Sequence, residues 1–357
     1  MPGPQQKPGL PSMDGAQPIS LVLSGGVALG SYQGGAYQAL LDHGLSVRWI
    51  AGSSVGALNG ALIAGSSPEL RLDTLRNYWL ERTLPDVAPF VPAGGMRHSV
   101  NWLSVLQARL FGSPGHVQTV GPRLSFSSFY DLAPTVAYLK RTIDFGRLNC
   151  GDIRFTVAAT DIETGDVAIF DTGKGDRIGI EHLMASCGFL PEFAAIEVGG
   201  RLLGDGGLAF NAPIEPILDE AEGTDGTIVI VDLFARDGAR PTGLESALAR
   251  KNAILFGNQT WYRLDAYRRF WQRRAHTGSP QPSILYLSYL PVEAEAGPEA
   301  AFDFSRASAH DRWGAGLLDG QEAVGRLSQP AESREIVTAI RRRRGCQANV
   351  QMAAREA

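Results

Sequence analysis

Gly52-Ser53-Ser54-Val55-Gly56 is the part of the chain best suited to chemistry. It is a G-x-S-x-G pentapeptide between an apolar run, 45–51, and a helix-like stretch, 57–64. The two glycines remove side chains where the backbone turns sharply, so the middle serine can stand with its hydroxyl exposed at a helix start. A helix N-terminus adds unpaired N–H groups and partial positive charge, which suit a developing alkoxide or oxyanion. Ser54 is therefore the candidate nucleophile, flanked by the motif glycines Gly52 and Gly56.

A second glycine-rich turn precedes it. Residues 19–24 read as a buried strand, Gly25-Gly26-Val27-Ala28-Leu29-Gly30 follows, and 31–43 has helical spacing. The turn is not G-x-G-x-x-G, because Val27 stands at the second glycine position, and it lacks the G-K-[ST] ending of a phosphate loop. Parallel neighbouring strands would bring both turns to one sheet edge, so the amides of Gly25, Gly26 and Val27 are the candidate oxyanion hole. The third piece is Gly204-Asp205-Gly206-Gly207, which ends another apolar run. In isolation Asp205 reads as a turn residue. Beside a serine that needs a base, it is the candidate general base.

These blocks, in this order, resemble the patatin-like phospholipase family. The resemblance runs from about residue 19 to 216 and includes Met184-Ala-Ser-Cys-Gly-Phe-Leu-Pro191, similar to the family's A-S-x-x-x-P segment. It implies a three-layer α/β/α fold with a mostly parallel central sheet, and a Ser54–Asp205 dyad that works without histidine. It also implies Gly30, Gly206 and Gly207 as motif glycines, and needs neither metal nor other cofactor. The chain departs from the usual G-G-G-x-[RK]-G loop at Val27 and Leu29, which leaves the backbone amides but removes a cation. The mechanistic rival is a triad of Ser54, Asp205 and His310, in the chain order of α/β-hydrolases. His310 lies in a polar, helix-like segment without a strand end. His98 and His116 read as solvated loop residues, and His43, His182 and His276 complete the set.

The chain has 357 residues, 44% of them hydrophobic, enough for one large domain with an appendage. A net charge of −4 argues against a nucleic-acid binder. Cys150, Cys187 and Cys346 are sparse and show no metal spacing, which fits a reducing compartment better than a disulfide framework. Residues 1–17 are rich in proline, glycine and glutamine, lack the apolar core of a signal peptide, and read as a disordered leader. No run approaches the roughly 20 apolar residues of a spanning helix, so the expectation is a cytoplasmic protein, peripheral at most to a membrane.

Helices are expected over 70–82, 134–145, 180–186 and 214–222, and strands over 153–160, 165–171, 227–233 and 284–288, with 284–288 the last strand. The catalytic domain is set at 18–235. Within it 84–130 breaks the pattern, with prolines and glycines before an apolar helix at 101–111. That helix reads either as a core helix or as a mobile cap that offers apolar surface to acyl chains or a membrane. Beyond 235, a mainly helical extension runs to 345, and 346–357 is a tail. Residues 243–274 interleave aromatics with arginines, either a solvated arginine face on an aromatic stripe or a surface for anionic lipid. Arg341 to Arg344 form a further basic run.

Taken together, the expected function is acyl-ester hydrolysis on a lipid. Two alternatives stay open: an esterase for a non-lipid ester or storage polyester, and a catalytically silent scaffold that binds lipid or protein.

Overall fold

The computed structural model describes residues 17–84, 95–119, 128–221, 226–275, 280–291, 297, 299–327 and 336–340. The leader up to residue 16, His276, the basic run at 341–344, Cys346 and the tail lie outside these residues.

Among the described residues, nine strands form the main sheet. In spatial order they are β12 (Val337–Ile340), β11 (Ser283–Ser288), β10 (Thr227–Asp232), β1 (Gln17–Leu23), β2 (Leu45–Ser53), β6 (Arg154–Asp161), β9 (Arg201–Asp205) and β8 (Ile196–Val198), with β7 (Val167–Asp171) also on β6. From β12 to β6 every pairing is parallel, while β7, β8 and β9 pair antiparallel. A small antiparallel sheet joins β3 (Gly112–Ser113), β4 (His116–Gln118) and β5 (Tyr130–Asp131).

The near-continuous apolar runs of the central strands follow from burial on both faces. Ile19, Leu21 and Leu23 of β1 join one core cluster and Val22 the other. In β10, Val229 and Val231 face the first cluster, Ile228 and Ile230 the second. The first cluster is covered by α1 (Ser31–Asp42), α2 (Val55–Ala64), α3 (Arg71–Glu81) and α10 (Arg306–Leu327). The second is covered by α8 (Glu215–Glu220) and α9 (Leu244–Ala275), through residues such as Ile217, Leu264 and Trp271. This is a three-layer α/β/α sandwich on a mostly parallel sheet.

The remaining helices are α4 (Gly95–Phe111), α5 (Ala133–Thr142), α6 (Phe145–Cys150) and α7 (Ile180–Ser186). One expectation changes: strand 284–288 is not the last, because β12 follows it in the chain and pairs beside it. The stretch that interleaves aromatics with arginines forms a single helix, α9. The stretch 236–345 supplies helices α9 and α10 and also β11 and β12, which extend the same sheet. No described helix is long and apolar enough to cross a membrane.

Candidate active site

Ser54 stands at the turn from β2 into α2, in a backbone conformation that L residues rarely adopt, φ 54° and ψ −128°. The turn is tight enough that a Cβ on Gly52 would come within 2.6 Å of the Gly56 carbonyl oxygen. The Ser54 N–H donates to Ser186 Oγ at 2.9 Å, and the Ser186 hydroxyl donates to the Ala158 carbonyl at 2.6 Å. Ser186, in the Met184–Pro191 segment, thus ties the strained turn to β6.

The glycine turn after β1 lies against it, as parallel pairing of β1 with β2 requires. A Cβ on Gly25 would sit 3.0 Å from Ser54 Cβ and 2.8 Å from Asn211 Oδ1, so only glycine allows this approach. The Gly25 N–H donates to the Asn211 carbonyl at 2.9 Å and is therefore already engaged. The Gly26 and Val27 amides have no acceptor among the described residues, and both residues border the same cavity as Ser54. Val27 has φ 51°; it and Ser54 are the two non-glycine residues with positive φ among those described. Strain of this kind concentrates where geometry is imposed by function. Behind the turn a buried chain holds it: Gln33 donates to the Ser24 carbonyl at 2.8 Å, Asn59 to Gln33 Oε1 at 2.8 Å, and Trp79 to Asn59 Oδ1 at 3.1 Å.

Asp205 ends β9 opposite Ala159 of β6, the strand that also flanks β2. It is only 2% exposed. Burial pushes its carboxyl up to about 7, against the opposing hydrogen bonds from the Ser54 hydroxyl and the Gly207 N–H. The Gly207 N–H reaches Oδ1 at 2.7 Å, and Thr160 holds the Asp205 carbonyl at 2.8 Å. A second buried acid, Asp232 at the end of β10, is pushed up to about 6 by burial and accepts from the Tyr286 hydroxyl at 3.0 Å.

Ser54, Asp205, Gly25, Gly26, Val27 and Gly207 border one cavity of about 550 Å³. Its walls are mainly apolar, with Leu29, Phe189, Leu233, Phe256 and Phe302, and Arg109, Arg240 and Arg250 stand among its lining. A dry wall explains the raised Asp205 carboxyl, because an ion there has little water to stabilise it. Gly52, Gly56, Gly30 and Gly206 do not line the cavity but pack behind it.

No described histidine lines this cavity. His310 is exposed on α10. His116 corrects the sequence expectation of a solvated loop: it is fully buried, its ring packs on Tyr130, Phe193, Phe302 and Phe304, and burial lowers it to about 3. Those rings come from distant parts of the chain, so nothing near position 116 announces them. Asn211, whose main chain holds Gly25 and whose Nδ2 approaches the Gly25 carbonyl at 3.4 Å, was equally invisible.

Helix α4 lies beside the cavity. Arg109 pairs with Glu299 at 2.6 Å and stacks over the Phe302 ring at 3.6 Å. Arg97 pairs with Asp311 at 2.8 Å, and His98 lies 3.4 Å from Glu245 of α9. Ala108 and Val105 are buried, whereas Leu103, Leu106, Leu110 and Phe111 are exposed. On α9, Trp271 and Leu264 enter the core, Arg263 is half-buried and pairs with Glu215, and the exposed Arg269 pairs with Asp265.

The profile of the family described as Patatin-like phospholipase matches residues 21–218. No curated protein matches the chain. Among solved structures, VipD from Legionella pneumophila is similar with 12% identity, 82% of this chain and 67% of that one covered, and a TM-score of 0.34. The type III effector protein ExoU gives 16% identity, 87% and 53% coverage, and a TM-score of 0.37. ExoU in its complex with SpcU, from Pseudomonas aeruginosa, gives 16%, 87%, 52% and 0.32. The chain thus spans about half the length of the ExoU chains it matches.

Proposed function

Since the chain belongs to the patatin-like phospholipase family, whose profile covers more than half of it, we propose that it hydrolyses lipid acyl esters with a Ser54–Asp205 dyad. Family membership supports a hydrolase of the lipid acyl kind; the dyad and its steps are our reading of the site. The observation that carries this reading is that Ser54 and the buried carboxyl of Asp205 border one mainly apolar cavity, whose dryness raises that carboxyl to about 7. An aspartate at its ordinary value is too weak a base to take a hydroxyl proton, whereas one poised near neutrality is matched to that task.

In the proposed cycle, Ser54 Oγ attacks the ester carbonyl while its proton passes to Asp205. The tetrahedral oxyanion accepts hydrogen bonds from the Gly26 and Val27 amides. Gly25, engaged with Asn211, shapes the turn instead of donating. The intermediate collapses as the C–O bond to the alcohol breaks, and the alcohol leaves with the proton from Asp205. Water then attacks the acyl-enzyme, giving its proton to Asp205, and the fatty acid departs as Ser54 regains a proton. Each oxyanion donor of this kind is typically worth about 3 kcal/mol.

The cavity suits an apolar acyl group, since about 550 Å³ lies within the usual range for small-molecule sites. Contact with a lipid surface is part of the same proposal. It rests on the exposed Leu103, Leu106, Leu110 and Phe111 of α4, the helix whose Arg109 lines the cavity. The division at residue 235 and the role of 84–130 as a cap are likewise proposals.

Fluorophosphonate labelling tests the core of this reading, with wild type beside Ser54→Ala and Asp205→Asn. Labelling of wild type alone is expected. Equal labelling of Ser54→Ala would remove Ser54 as nucleophile, and an unlabelled, folded wild type would favour the silent scaffold. A panel of short esters, phospholipids and polyesters then assigns the acyl donor.

A further inference from the structure

The proposed oxyanion loop has two ends, and a different part of the chain holds each. Upstream, Gly25 is fixed by Asn211. Downstream, the Ala28 carbonyl accepts a hydrogen bond at 3.1 Å from Arg312 Nη1, a residue 284 positions later on α10. Gly26 and Val27, which line the cavity, are suspended between these anchors. Within the loop, the Leu29 N–H donates to the Gly26 carbonyl at 3.0 Å. Residues 25–30 contain no charged side chain of their own.

Arg312 is completely buried. Its guanidinium also donates to the Asp303 carbonyl at 2.8 Å and the Ala300 carbonyl at 3.0 Å, with the Asp303 carboxylate 3.8 Å away. A buried cation needs polar partners, and the flat fork of arginine can grip several carbonyls at fixed angles where a lysine cannot. The helix arrives there by close packing. A Cβ on Gly35 of α1 would collide with the Trp313 carbonyl, and one on Gly316 with the Tyr32 carbonyl. Tyr32 donates to Asp319 at 2.7 Å and Trp313 to Gln38 at 2.8 Å. Helix α1 begins at Ser31, directly after the loop, so α10 is locked to the loop's own helix as well as to its Ala28 carbonyl.

We propose that Arg312 is a positioning residue for the oxyanion loop, through which the C-terminal helix holds the Gly26 and Val27 amides in register with Ser54. The left-handed backbone of Val27 gives this its physical need. A β-branched residue relaxes out of that conformation unless both sides are held. The catalytic part of the proposal rests on the hydrolase reading above; the positioning part does not.

The test uses the full chain as wild type, Arg312→Lys and Arg312→Ala, each checked for folding by circular dichroism. Hydrogen exchange is followed at the bonded amides of Gly25 and Leu29, with β10 as the internal reference, and ester hydrolysis is measured in parallel. Expected is faster exchange across 25–30 in both variants, with β10 unchanged, and a fall in kcat on the order of 100-fold with KM nearly constant. Added guanidinium should restore part of kcat in Arg312→Ala. Arg312→Lys keeps the charge beside Asp303, so it supplies a folded variant if Arg312→Ala does not. Unchanged loop exchange in a folded variant overturns the proposal. So does a kcat equal to wild type. If wild type hydrolyses no ester, the hydrolase reading fails, and loop exchange alone still decides whether Arg312 positions the turn.

Discussion

Replacing Asp205 with asparagine should favour the folded protein by an amount that grows as pH rises towards neutrality and is constant beyond it. The unfolded carboxyl ionises near its ordinary 3.8 and the folded one near 7, because burial opposes its charge. Between these values the folded chain still holds a proton that the unfolded chain has released. Stability from this group is therefore intact below 3.8, falls as pH rises through the window, and levels off above 7. At about 1.36 kcal/mol per unit, the full loss is about 4 kcal/mol, of which about 3 kcal/mol falls between pH 5 and pH 8. Asparagine keeps an oxygen for the Gly207 N–H and Ser54 hydroxyl but never ionises. Urea unfolding of wild type and Asp205→Asn at pH 5 and pH 8 should show the gap between them widen by about 3 kcal/mol in favour of the variant. Asp232 titrates in both proteins and cancels from the difference. A gap that stays flat would mean that Asp205 ionises at its ordinary value, and the case for it as a base near neutrality would collapse. The same titration governs turnover, so kcat/KM should rise with pH and reach half its plateau near 7.

Further outcomes follow from the geometry. Val27→Gly relieves a left-handed valine, worth about 1–3 kcal/mol, against roughly half to one for the freer unfolded chain; a net gain of about 1 kcal/mol in urea unfolding is expected, with activity retained. Gly35→Ala drives a methyl into the Trp313 carbonyl and should lower stability by at least about 2 kcal/mol, read as a drop in the thermal midpoint. The pair Leu106→Asp and Phe111→Asp changes exposed residues, so stability should stay within about 0.5 kcal/mol of wild type. Sedimentation with phosphatidylcholine vesicles should fall by about tenfold or more in that pair, from the apolar area it withholds from lipid. Equal sedimentation would exclude α4 as the lipid-facing element.

Much of the candidate site is legible because its residues end apolar runs. Ser54 follows β2 and Asp205 ends β9, each between glycines, and parallel pairing of β1 with β2 then fixes which turns meet. Long-range partners were not legible. Asn211 acts through its main chain, which no residue type announces, and Arg312 reaches the loop only because glycines let α1 and α10 approach closely. His116 was misread for a related reason: the aromatic rings that bury it lie at 130, 193, 302 and 304. Strand β12 escaped notice because Val337–Ile340 is four residues long and alternates too briefly to announce itself.

The site also concentrates features that oppose folding. Two residues hold left-handed backbone, two carboxyls are buried near neutrality, and the Gly26 and Val27 amides lack acceptors among the described residues. Each costs on the order of 1–4 kcal/mol, a sum comparable with the whole stability of a typical domain. Such a site can persist only where its surroundings are unusually rigid. The surroundings here meet that requirement: β1 and β2 are interior strands, Gln33, Asn59 and Trp79 form a buried chain behind the turn, and α10 is packed backbone to backbone on α1. The C-terminal helix therefore belongs to the stability of the site as much as to the sheet it covers. Loosening the α1–α10 contact at Gly35 should thus disturb the glycine turn before it unfolds the sheet. In Gly35→Ala, amide exchange at Leu29 should accelerate at temperatures where β6 and β10 remain fully protected. Simultaneous exposure of all three would show that the turn draws its order from the sheet alone, and that α10 only covers it.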